Sequence, residues 1–287
     1  MKADRVVKEL VEAAPVIDAV RSVVAQQQLA GGEKISIIDL CSGKGFLSMF
    51  LSEMLDPDKV ERCFLVDKAW PPHDLEGEIK PHHISDAHIY GERPESADVP
   101  RYYNSWPVPL HTSKQDLKNK ATVRKMGKHM FARCSGPVLI LGVHLCGTLS
   151  LRAVDLFNNH PQAKMLVLKP CCLPGMVHAN RDEVFTIGRH SFPASDVCAS
   201  GRFTARGIWK GPPRGDLKPR FERWAEHLCA GIDLSAAAKG EDVAGAKAVH
   251  YAEVQTQGGY QNLFIVGERA ETTDALWARV RESEFRS

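Results

Sequence analysis

Nowhere does this 287-residue chain hold an apolar run approaching the ~20 residues of a helical membrane span, so no such span is expected. The first residues carry no signal-peptide h-region, which argues against secretion. Charge of neither sign dominates. Lys and Arg number 37 against 35 Asp and Glu, a net +2, so any polyanionic partner has to be sought in local clusters. No internal repeat is present, which excludes solenoids and propellers. None of the eight cysteines stands in CxxC spacing, so the usual zinc signature is missing. Most of them sit in apolar, strand-like sequence. They read as reduced thiols of an intracellular protein, cytoplasmic or nuclear, and not as a secreted disulfide framework.

What is present is an alternation of strands and helices. Residues 1–34 read as an N-terminal helical extension with apolar spacing from Val6 to Val24, and Pro15 is expected to open a second helix. Ile35 to Asp39 is a buried strand, followed by a glycine turn and an apolar helix over 46–55. Asp56-Pro57-Asp58 stops that helix before a second strand, Val60 to Val66, which ends in Asp67. This is one βαβ unit. Residues 70–108, with Pro71, Pro72, Pro81, Pro94, Pro100 and Pro107 and several histidines, read as an insertion over the carboxyl edge of the sheet.

A third strand is expected near 108–112, a helix over 117–133 and a fourth, wholly apolar strand over 137–143. A helix over 148–158 and a fifth strand over 165–168 follow. A second insertion is expected over 190–247, irregular as far as 223, with a helix over 217–231 inside it. The strands 248–255 and 262–267 are joined by too few residues for a crossover helix, so they are expected to be antiparallel. The fold class is α/β, with residues 35–287 as one domain.

The glycine turn is the first chemical signal. Gly43 and Gly45 let a backbone approach a ligand, Asp39 closes the first strand and Asp67 closes the second, as a nucleotide-like cofactor requires. A nicotinamide dinucleotide would favour Gly or Ala three places after Gly45, where Ser48 stands. For Asp67 and Asp116, a solvated strand end and a helix N-cap are the alternatives.

The run Asp39-Leu40-Cys41-Ser42-Gly43-Lys44-Gly45 resembles motif I of class I S-adenosylmethionine-dependent methyltransferases, with Cys41 in place of the first glycine. That resemblance implies a seven-stranded, mostly parallel Rossmann-like sheet whose last strand is antiparallel, and S-adenosyl-L-methionine as cofactor. It implies that Asp67 holds the ribose hydroxyls with both carboxylate oxygens, and that Asp116 accepts from the adenine amino group beside the Leu117 amide. Cys41, Ser42, Phe46, Lys68 and His144 complete the implied cofactor set.

His144-Leu145-Cys146-Gly147 is similar to the His-Leu-Cys-Gly segment of tRNA acceptor-stem 2′-O-ribose methyltransferases and related methyltransferase-domain proteins. Lys169-Pro170-Cys171-Cys172 resembles their paired-cysteine segment. Val143 and Leu173-Pro174 depart from that pattern. The implied reaction is methyl transfer to an RNA ribose hydroxyl, with His144, Lys169 and Cys146 as candidate catalytic residues. His144 suits a base at neutral pH, and a desolvated Lys169 could take or ease the acceptor's proton. The alternatives are a carbonyl-bonded His144 and cysteines that are small buried hydrophobes. Cys146, Cys171 and Cys172 with His144 could form a metal site, but no CxxC spacing supports it and none is expected.

The stretch 200–224 interleaves Arg202, Arg206, Lys210, Arg214, Lys218, Arg220 and Arg223 with Phe203, Trp209, Phe221 and Trp224. Cations with aromatic platforms suit an RNA strand. The other reading is a core-anchored helix with solvated charges. A second positive face runs from Lys114 to Arg133. A small-molecule methyltransferase whose insertions form a lid, with the histidine-rich loop 73–90 lining its pocket, or a cofactor-binding protein without catalysis, are the competing functions.

Overall fold

The computed structural model describes residues 3–26, 33–72, 79–91, 106–203, 209–234, 248–253 and 263–269. Much of both expected insertions, Arg206 and the turn before the last strand lie outside the described residues. So do the side chains of Arg202, Phe203, Trp209 and Arg214. The fold is α/β with a mostly parallel sheet. Its contacts divide the described chain into two compact units, one holding 3–141 with 162–164 and the other 142–161 with 165–269.

The first unit opens with one helix, α1 (Ala3–Gln26), where two were expected. Pro15 lies inside it. The apolar positions Ala13, Val16, Ile17, Val20 and Val24 keep helical spacing across the proline and are buried, so packing outweighs the missing N–H donor. Upstream, Val7 and Val11 are exposed. Lys59 Nζ donates to the Val24 and Ala25 carbonyls at 3.3 and 3.2 Å, satisfying acceptors that the helix end leaves open.

Strand β1 (Ile35–Leu40) is fully buried, as a central parallel strand must be. Helix α2 (Phe46–Met54), strand β2 (Val60–Asp67), the single turn α3 (Ala87–Tyr90), strand β3 (Leu110–Lys114) and helix α4 (Lys120–His129) follow, and β4 (Val138–Cys146) begins in this unit. The strand order here is β4-β1-β2-β3, every pair parallel. Helix α4 is shorter than the expected 117–133 because Asn119 caps it, accepting from the Ala121 amide, and Phe131–Arg133 tighten to a 3-10 turn.

In the second unit β4 finishes, and α5 (Leu149–Asn159), β5 (Ala163–Cys172), the turn α6 (Met176–Ala179) and a hairpin of β6 (Val184–Ile187) with β7 (His190–Pro193) follow. Then come the short pair β8 (Arg202–Phe203) and β9 (Trp209–Lys210), helix α7 (Lys218–Ala230), β10 (Ala248–Glu253) and β11 (Leu263–Glu268). The stretch 190–223 is therefore not irregular throughout. Its start pairs with β6, a hairpin hidden by its short strands and the proline at its end. The order is β4-β5-β11-β10, with β11 antiparallel to both neighbours, so the expected antiparallel ending is observed.

Arg269 closes this unit. Its guanidinium donates to the carbonyls of Phe157, His160 and Asp233 at 2.8 to 3.0 Å and lies 4.0 Å from the Phe157 ring centroid.

Candidate functional site

The turn between β1 and α2 is built from left-handed backbone. Cys41 has φ 55°, Gly43 54° and Gly45 80°, three such residues within five. At Cys41 this costs about 1–2 kcal/mol, strain of the kind that gathers at binding sites. The two glycines serve different ends. A Cβ on Gly45 would stand 2.4 Å from Leu65 Cδ2, so Gly45 is needed for packing; a Cβ on Gly43 would meet nothing within 4 Å, so Gly43 faces open space. Gly45 also precedes α2 as its N-cap with no side chain to cap it.

Asp39 is buried, and Ser48 Oγ donates to its Oδ2 at 2.9 Å. Burial pushes its pKa up to about 7, with the Ser48 hydrogen bond opposing and the Asp67 charge adding. Ser48 thus belongs to the loop as the partner of the strand-end acid. Asp67 sits one step past the Leu40–Val66 register pair. Its Oδ2 accepts the Gly43 amide at 3.1 Å and its Oδ1 the Ala69 amide at 2.8 Å. Both oxygens, expected to hold the ribose hydroxyls, therefore already accept one backbone N–H each. A carboxylate has about four acceptor positions, so capacity remains.

Gln115 N donates to the Asp67 carbonyl at 3.2 Å, which brings the end of β3 beside the end of β2. Asp116 is exposed and its Oδ1 accepts the Lys118 amide at 2.9 Å. The cap of α4 is Asn119, so Asp116 shapes the turn before that helix. Leu117 and Phe46 are buried, so they could offer a ligand little but backbone, while Lys68 is exposed. The set Asp39, Cys41 to Gly45, Asp67 and Asp116 is held within one unit.

Three residues of this site escaped the sequence reading. Trp70 is fully buried and its Nε1 donates to Ser42 Oγ at 3.2 Å. His88 stacks against Trp70 and its Nε2 donates to the Lys44 carbonyl at 2.6 Å. Tyr90 Oη donates to Thr112 Oγ1 and accepts the Thr112 amide. All three come from the proline- and histidine-rich segment, which has no periodicity to mark a buried aromatic.

The end of β4 alternates as a strand must: Val143 and Leu145 are buried, His144 and Cys146 exposed on the opposite face. On β5, Lys169 is buried, with Nζ 5.4 Å from the Phe264 ring centroid. Cys146 Sγ lies 3.0 Å from Cys171 Sγ, and the Gly147 amide donates to the Cys172 carbonyl at 3.1 Å. Contacts from Cys146 and Cys172, together with burial, push the Cys171 thiol well above its usual pKa.

In the basic-aromatic stretch the described aromatics follow the core-helix alternative. Phe221 and Trp224 are buried with Ala225 and Leu228, the core face of α7. Arg220 donates to the Ser195 and Cys198 carbonyls, and Lys218 pairs with Glu222. Phe221, Trp224 and Arg220 are therefore tied to the packing of the second unit. The second positive face is exposed, by contrast. A cavity of about 460 Å³ there is lined by Arg62, His111, Lys125, His129 and Arg133.

Among known proteins, the chain matches no family model and no curated sequence. Its chemistry has to be read from its own residues.

Proposed function

We propose that this protein is an S-adenosylmethionine-dependent methyltransferase. The observation that carries the reading is the loop itself: three left-handed residues, an open space above Gly43 and a strand-end carboxylate, Asp67, that holds the Gly43 amide. A nucleotide-like cofactor fits that cradle. Asp67 would hold its ribose, Asp116 and the Leu117 amide its base, and Cys41 to Gly45 would line its path. S-adenosylmethionine supplies an activated methyl group, so the protein has to align an acceptor and, for a hydroxyl, remove a proton. Exposed His144 and desolvated Lys169, both in the second unit, are the candidates for taking that proton.

The acceptor we propose is RNA. The cations around α4, Lys118, Lys120, Arg124, Lys125, Lys128 and Arg133, all exposed, and the cavity beside them suit a phosphate backbone.

Two measurements test this. Calorimetry with S-adenosylmethionine should show binding, weakened by about 1–3 kcal/mol in Asp67→Ala through loss of charged hydrogen bonds. Unchanged affinity would remove Asp67 from the site, and no binding at all would remove the reading. With labelled cofactor and a fractionated cell extract, the RNA fraction should take the label. Label in small molecules would leave the enzyme class and change the acceptor.

A further inference from the structure

The ends of β4 and β5 bring together three thiols that lie far apart in sequence. The sulfurs of Cys146, Cys171 and Cys172 all fall within 4.8 Å of one another, and Cys146 and Cys171 are 3.0 Å apart. We propose that this cluster is a site for a thiophilic cation, zinc, bound by three cysteine thiolates with one coordination position left open.

The geometry supports this in three ways. Tetrahedral Zn–S bonds of about 2.3 Å put ligand sulfurs about 3.8 Å apart, so the trio needs side-chain adjustments of only about 1 Å. The backbone under it is fixed: β4 and β5 are neighbours in the strand order, and the Gly147 amide bonds the Cys172 carbonyl where both strands end. Access exists too, because Cys146 is exposed and the other two partly so.

A disulfide would use two sulfurs and leave the third without a purpose. It is the presence of Cys172 in the group that favours a metal. Three soft sulfur donors select zinc or a similar soft ion over calcium or magnesium. Binding converts three thiols to thiolates and releases three protons to solvent. The group supplies three protein donors, so a water or an incoming thiol would take the fourth place. In zinc proteins that arrangement marks a site that does chemistry and not a closed structural knot.

The test needs no assay of activity, so it stands or falls apart from the methyltransferase reading. The full chain, reduced and purified without chelator, is analysed for bound metal and then titrated with Zn²⁺ and Co²⁺. The expected result is one equivalent of zinc per chain and, with cobalt, a sulfur-to-metal charge-transfer band in the near ultraviolet. Cys146→Ser and Cys171→Ser should each weaken zinc binding by at least about tenfold, since even outer-sphere changes reach that size. Cys229→Ser, outside the cluster, should not. The wild-type stoichiometry and spectrum decide the matter even if a variant misfolds. Absence of metal binding by the reduced protein would overturn the proposal. So would binding that survives both cluster substitutions, or a Cys146–Cys171 disulfide in place of metal.

Discussion

The glycine loop at 41–45 and the basic-aromatic stretch at 200–224 are both short and both suggested a ligand. At the first the backbone takes the left-handed form that its glycines predict; at the second the described aromatics are buried. In the loop the residue types answer to backbone geometry: glycines occupy left-handed positions, and few alternatives satisfy the same torsions. In the stretch, Phe221, Trp224 and Leu228 at helical spacing fit a stacking platform and a core stripe equally well, and they are buried. A pattern that constrains the main chain is harder to satisfy by accident than one that constrains composition. That difference can be broken or sharpened by mutation.

The largest effect is expected at Trp224. Its side chain is fully buried, so Trp224→Ala should cost about 3–5 kcal/mol in urea unfolding. Its Nε1–H is buried with no hydrogen-bond partner among the described residues, so Trp224→Phe should cost far less. A stable Trp224→Ala protein that had lost RNA binding would restore the platform.

Gly45→Ala comes next. It forces a Cβ against Leu65 and holds alanine at φ 80°, for about 2–4 kcal/mol measured the same way. A neutral outcome would mean the loop is slack.

Asp39→Asn should change stability in a pH-dependent manner. The folded carboxyl titrates at about 7 against 3.8 for the free group, so wild-type stability falls as pH rises through that window. Asparagine does not titrate. The variant's advantage should be near zero at pH 4 and reach about 4 kcal/mol above pH 7. Glu268, also raised to about 7 by burial, adds its own slope to both proteins. An advantage independent of pH would show that Asp39 is not a buried acid.

Gly43→Ala is expected to change stability least, by about 1–2 kcal/mol from its φ alone, because nothing crowds the new Cβ. Its loss should appear in cofactor affinity. Equal damage to stability by the two glycine substitutions would erase the distinction between packing glycine and ligand glycine.

The same contrast explains what could be read in advance. Strands β1, β2, β4 and β5 and their helices were visible because buried parallel strands are continuous apolar runs closed by Gly, Asp or Pro. The antiparallel β10–β11 pair followed from the short connection between them. Pro15 misled because proline lowers a helix's stability locally while tertiary packing decides globally. Trp70, His88 and Tyr90 were invisible because nothing periodic surrounds them. The cysteine trio is set aside as a metal site on sequence alone for another reason, the lack of CxxC spacing. Spacing rules for metal sites describe ligands on one turn or knuckle, whereas Cys146 and Cys171 are joined by strand adjacency across 25 residues.

Arg269 is a different sort of fastening. One planar fork reaches the Phe157 and His160 carbonyls at the end of α5 and the Asp233 carbonyl, with an aromatic ring against its face. A lysine there would keep the positive charge and lose the shape, since a single ammonium cannot span those acceptors and stack at once. This position should tolerate no exchange of cation for cation, because what it contributes is the outline of guanidinium and not its electricity.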